Sequence, residues 1–241
     1  MNRQRTTWSI ALGMIAGITV ISLPFTASAQ QHEKHISAEY NVSSATEVSF
    51  DSGVGTITFE RTDGDVMEVS IRAYKDDDTV FDKEGNVEDA ELIAEQAGDQ
   101  LTLRVPNQDG IQLDWVVKLP KVSRVETDLG VGEINGDLWT TNINIDLGVG
   151  EVDLDIYGDY KTIKTDVGVG DSTIKGMGNI ENNRFLMTAN SRANSEGKHR
   201  VSVDAGVGDG ECKNICVNGI LNNIEEGYQN ANIRQTHRPA A

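Results

Sequence analysis

The sequence predicts an all-β fold, a parallel β-helix or β-solenoid with coils of about 19 residues, and three observations carry that expectation. The phrase Asp, any residue, Gly-Val-Gly begins at Asp51, Asp128, Asp146, Asp166 and Asp204. From 128 to 146 is 18 residues, from 146 to 166 is 20, from 166 to 204 is 38, and from 51 to 128 is 77, all near multiples of one coil. Within a copy the apolar alternation changes phase: Leu147 and Val149 share one parity, then Val152, Leu154 and Ile156 share the other. A straight strand with that pattern would turn half of its apolar side chains to water.

The first 29 residues read as a secretory signal peptide. Arg3 and Arg5 form a positive start, Trp8 to Leu23 an apolar run, and Ala27-Ser28-Ala29 a small-residue cleavage site. The run is short for a membrane-spanning helix, so no integral membrane segment is expected after cleavage. Loss of Arg3 and Arg5 moves the formal charge from −17 to −19. Such an acidic chain excludes nucleic acid and anionic lipid as natural partners. Residues 30–45 read as a flexible N-terminus, 46–221 as the solenoid domain and 222–241 as a flexible tail.

Within each coil, Gly-Val-Gly is expected to mark a bend with its valine pointing inward. The turn glycines are Gly53 and Gly55, Gly130 and Gly132, Gly148 and Gly150, Gly168 and Gly170, and Gly206 and Gly208. A second corner is read at Gly136-Asp137, Gly158-Asp159 and Gly178-Asn179. The coil missing between the last two copies is expected near Phe185 to Ala189. Between Arg61 and Arg124 the pattern is less regular. Val66 to Tyr74, Gln100 to Val105 and Ile111 to Leu119 alternate like strands, and residues 88–97 suit one short helix.

Cys212 aligns with Phe59, Leu154 and Ile174, which makes it a small core residue. A disulfide between Cys212 and Cys216 needs a turn through Lys213 to Ile215, because an extended segment of that length exceeds the ~7 Å Cα limit.

The run from Phe50-Asp51-Ser52-Gly53-Val54-Gly55, through Trp115-Val116-Val117-Lys118-Leu119-Pro120, to the recurring Asp-Leu-Gly-Val-Gly-Glu resembles the bacterial putative-adhesin domain family of unknown function. The resemblance covers Val48 to about Ile180. It implies a β-helical, cell-envelope protein.

No nucleophile, metalloprotease or phosphate-loop motif occurs, and His32, His35 and His237 lie toward the ends of the chain. The expected function is a noncatalytic, exported envelope or surface module, periplasmic or extracellular, that meets an unknown envelope or surface partner. One alternative is a calcium-binding solenoid. Asp128, Asp146 and Asp166 with Glu133, Glu151 and Asp171 would supply its oxygens, since stacking aligns like charges that a divalent cation neutralises. The other is a polysaccharide-active enzyme working through acid pairs. No cofactor besides calcium is suggested. Arg184, Arg192, Lys198, His199 and Arg200 form a basic island able to meet an acidic polymer.

Overall fold

The computed structural model describes residues 33–75, 86–106, 108–176 and 178–215, with side chains up to Lys213. The signal-peptide segment, the C-terminal tail and Cys216 lie outside the described residues. The strands are β1 Glu33–Asn41, β2 Glu47–Arg61, β3 Val66–Tyr74, β4 Ile93–Ala97, β5 Gln100–Arg104, β6 Gln112–Leu119, β7 Arg124–Trp139, β8 Asn142–Tyr157, β9 Tyr160–Lys175, β10 Asn179–Phe185, β11 Thr188–Asn194 and β12 His199–Ile215.

Each copy of the repeated phrase sits inside one long strand, and that strand is folded over. Phe50 and Phe59 of β2 would stand ~30 Å apart in an extended chain, yet their rings pack edge to face at 5.5 Å. Thr165 and Ser172 of β9 likewise share a hydrogen bond between their hydroxyls. The crease is the Gly-Val-Gly segment. In β8 burial falls on Ile143, Ile145 and Leu147 before it and on Val152, Leu154 and Ile156 after it. The parity change in the sequence is therefore the fold of the rib.

Five such ribs, β2, β7, β8, β12 and β9, lie parallel and in register in that order. Their first halves continue through β5 and β4 at one end and β11 and β10 at the other. Their second halves continue through β6, β3 and β1, the last two antiparallel. The result is one mixed 12-stranded sheet creased into two facing layers.

The core between the layers tapers. At equivalent first-half positions it runs Phe50, Thr127, Ile145, Val203, Thr165, Ser191. The wide end holds Trp115, wholly buried, whose Nε1 donates to Ser52 Oγ at 3.2 Å. At the narrow end Ser172 Oγ donates to Ser191 Oγ at 3.0 Å, which satisfies hydroxyls that water cannot reach.

The crease demands glycine twice. The second glycine of every copy has φ between 138° and 145°, closed to other residues. The first is fixed by close approach: a Cβ on Gly130 would lie 2.6 Å from the Gly53 carbonyl oxygen of the next rib. Two amide side chains cap backbone groups where the stack of ribs stops. The Gly53 N–H donates to Gln108 Oε1 in the gap between β5 and β6. At the other end the Ile174 N–H donates to Asn182 Oδ1 at 3.0 Å, and Asn182 Nδ2 donates to the Ile174 carbonyl at 3.3 Å.

Several expectations are corrected. The ribs do not stack in chain order, because β12 inserts between β8 and β9. The coil expected near Phe185 to Ala189 is instead the turn of the antiparallel β10–β11 hairpin. The helix near 88–97 is a single 3-10 turn, Val87–Asp89, followed by β4. Its helix-favouring residues are overruled by the open edge of β5, to which β4 pairs through a two-residue loop with Gly98 at φ 64°. The loose N-terminus is ordered from Glu33 as β1, antiparallel to β3. Gly136-Asp137 is no corner, since β7 runs on to Trp139; Gly136 is needed where the rib touches the Phe59 carbonyl.

Candidate binding surface

The largest departure concerns the repeated valines, which point out of the crease. Val131, Val149, Val207 and Val169 are 43–47% exposed, whereas Leu129 and Leu147 before the crease are buried. The reason lies in the bend, since a crease keeps both neighbouring apolar sets inside only by presenting its apex to solvent.

Because the ribs are in register, these valines form one outward stripe. It ends at the β10–β11 turn, where Phe185, Leu186 and Met187 are 65–81% exposed. The Gly170 N–H donates to the Met187 carbonyl at 2.9 Å, which ties that turn to the crease of β9. Acids flank the stripe. On the first-half side Asp51, Asp128, Asp146, Asp204 and Asp166 stand opposite one another; on the second-half side Glu133, Glu151, Asp209 and Asp171 do.

A shallow groove of about 600 Å³ runs beside the stripe, floored by Gly130, Gly148, Gly206 and Gly168 and walled by Asp128, Asp146, Asp204 and Asp166. The glutamate column does not line it. Among the described residues no three His, Cys, Asp or Glu side chains are grouped to hold a metal ion. Many acids already have partners. Lys164 hydrogen-bonds Asp166, which holds its ammonium above the ordinary lysine range. Asn144 Nδ2 donates to Asp146 at 2.9 Å, Ser202 Oγ donates to Asp204 at 3.1 Å, and Arg184 pairs with Asp171.

Cys212 stands between Leu154 and Ile174 as its alignment predicts and is wholly buried, which pushes its thiol up to about 12. Trp139 Nε1 donates to the Thr62 carbonyl at 3.0 Å, and the Arg61 and Lys121 cations each sit 4.4 Å from its ring centroid.

Of the basic island, only Arg192 and Arg200 enter a second cleft, of about 490 Å³, on the outer face of the first-half layer. Arg124 and Lys164 join them there. Their membership is visible by aligning the copies: Arg124 and Arg200 each stand four residues before the repeated Asp, and Lys164 two before it.

Two creased parallel layers with a repeated acid–valine–acid apex define an all-β module, and no helix among the described residues is long and apolar enough to cross a membrane. The chain belongs to the Toast_rack_N family, described as the N-terminal domain of toast_rack, DUF2154, which matches residues 26–175. It is a domain family of unknown function. Among solved structures the chain is similar to a "putative cell adhesion protein" from Clostridium sporogenes at 15% identity and a TM-score of 0.43, covering 76% of this chain and 100% of that one. It is similar also to a "putative adhesin" from Bacteroides fragilis at 13% identity and a TM-score of 0.25, covering 76% and 97%. No curated protein matches.

Proposed function

We propose that the protein is a noncatalytic, exported module of the cell envelope or surface, a solenoid-like rack whose creased edge binds a partner. The observation that carries this reading is the exposed stripe of Val131, Val149, Val207 and Val169, repeated rung by rung. A solvent-facing apolar row costs solubility, and contiguous exposed apolar surface marks interaction sites. The identical rungs favour an extended partner that makes the same contact at each step, and the acid columns favour cationic groups on it. Catalysis is disfavoured because the acids recur at every rung, whereas a reaction needs one site unlike its neighbours.

Binding of labelled protein to bacterial envelope fractions tests the reading. Val149→Asp with Val207→Asp is expected to reduce retention at least tenfold while thermal unfolding stays within about 3 °C, since neither side chain is in the core. Equal retention of the double variant would remove the stripe from the binding surface. Turnover of any envelope polymer that one carboxylate substitution abolishes would refute the noncatalytic reading.

A further inference from the structure

The second cleft lies on the outer face of the first-half layer, away from the crease, and its chemistry is opposite to that of the stripe. In a chain with 38 acidic and 21 basic residues, its charged lining is Arg124, Lys164, Arg192 and Arg200 against the single carboxylate of Glu126. The polar remainder of the wall comes from Asn142, Asn144, Thr162 and Ser202.

The register explains how four ribs and a hairpin strand build this patch. Arg124 is opposite Asn142, Arg200 is opposite Thr162, and Lys164 is opposite both Ser202 and Arg192. Several cations on the sheet have carboxylates beside them: Arg72 has Asp114 at 2.6 Å, Arg104 has Glu95 at 2.7 Å, Lys118 has Glu68 at 2.8 Å and Lys175 has Glu211 at 2.9 Å, and within the cleft Arg124 has Glu126 at 3.5 Å and Lys164 has Asp166. Among the described residues no carboxylate is paired with Arg192 or Arg200, although acids outnumber bases in the chain. Like charges directly across neighbouring strands repel, and the Lys164–Arg192 pair is such a contact. A bound anion relieves that repulsion and completes the guanidinium hydrogen bonds, for which Arg has a planar fork suited to carboxylate and sulfate.

We infer that this cleft binds an extended anionic polysaccharide, whose successive carboxylates or sulfates bridge the guanidinium and ammonium groups of neighbouring ribs. Strands ~4.8 Å apart place Lys164 and Arg192 one rung from each other, and Arg200 on the opposite side of β9. Asp146, Asp166 and Asp204 border the cleft, hydrogen-bonded to its Asn144, Lys164 and Ser202, so the polymer's anions are drawn to Arg192 and Arg200, and acids farther than ~8 Å from these are screened at physiological salt. Binding is therefore weakest at both extremes of ionic strength. At very low salt the net charge of the whole chain repels the polymer, and at high salt the local attraction is lost.

Affinity electrophoresis of the full chain in gels containing sodium polygalacturonate, dextran sulfate or neutral dextran tests the inference. Retention by at least one charged polymer and none by neutral dextran is expected. The polymer that retains the protein more strongly shows whether carboxylate or sulfate is recognised. Arg192→Gln with Arg200→Gln is expected to weaken retention at least tenfold with an unchanged melting curve, while Lys198→Gln, outside the cleft, changes it less than twofold. No retention by either charged polymer, or equal retention of the double variant, overturns the proposal, as does preferential binding of a single-stranded oligonucleotide. Substitutions in the valine stripe leave retention unchanged, so failure of the stripe as a binding surface and failure of this cleft are read separately.

Discussion

Gly150 shows how little freedom the crease leaves at a single residue. Its φ is 145°, and a Cβ there would fall inside the carbonyl oxygen of Gly132 on the adjacent rib. Gly150→Ala therefore combines backbone strain with a backbone clash, and denaturant unfolding is expected to show a loss of about 3 kcal/mol or more. Gly64→Ala is the control. Its φ is 108° but nothing lies within 4 Å of the added Cβ, so only the strain of ~1–2 kcal/mol remains. Cys212 gives a second residue-scale expectation. Burial raises its thiol from 9.0 to about 12, so the folded state keeps a proton that the unfolded state releases. Its contribution is complete below pH 9 and is lost as pH rises toward 12, with a slope reaching ~1.4 kcal/mol per pH unit. Cys212→Ala should flatten the alkaline limb of a stability–pH curve measured by denaturant titration.

At the scale of the element, the ribs were legible in the sequence because the crease forces a parity change. Val152, Leu154 and Ile156 lie out of phase with Leu147, and only a fold at Gly-Val-Gly buries both sets. The direction of the valine was not legible, because period two assigns Val149 to the face of Leu147 and cannot report that the backbone has already turned. Nor was β4, whose Ala, Glu and Gln residues are helix formers captured by a free strand edge. The insertion of β12 between β8 and β9 was hidden as well, since copies of one phrase fit any order of stacking. The basic cleft was half visible, as the island around Arg192 and Arg200, and its remaining members needed the copies to be superposed. The amide side chains that close the stack were invisible because each replaces a backbone partner singly. Asn182→Ala is expected to cost ~0.5–1.5 kcal/mol. It should also speed hydrogen exchange at the Ile174 amide, whose acceptor it removes, while amides in β7 and β8 keep their protection.

For the whole molecule the decisive quantity is charge stacked in register. Neighbouring aspartates one rung apart repel by roughly 0.9 kcal/mol in water before screening, and the column through Asp51, Asp128, Asp146, Asp204 and Asp166 repeats that contact along the rack. Partners offset it unevenly: Asp166 has Lys164, Asp146 has Asn144 and Asp204 has Ser202, whereas among the described residues no side chain is hydrogen-bonded to Asp128. Raising sodium chloride from low to physiological concentration should therefore raise the melting temperature. Asp128→Asn should stabilise the fold by a few tenths of a kcal/mol, while Asp166→Asn, which strands Lys164, should not. Simple screening and a dedicated cation leave different signatures. With screening alone, a chelator leaves the melting curve unchanged and calcium acts no differently from magnesium at equal ionic strength. A calcium-specific rise that disappears in Asp146→Asn with Asp166→Asn would mean instead that the column gathers its oxygens around an ion. The groove walled by Asp128, Asp146, Asp204 and Asp166 would then be a metal site rather than the acidic margin of a binding edge.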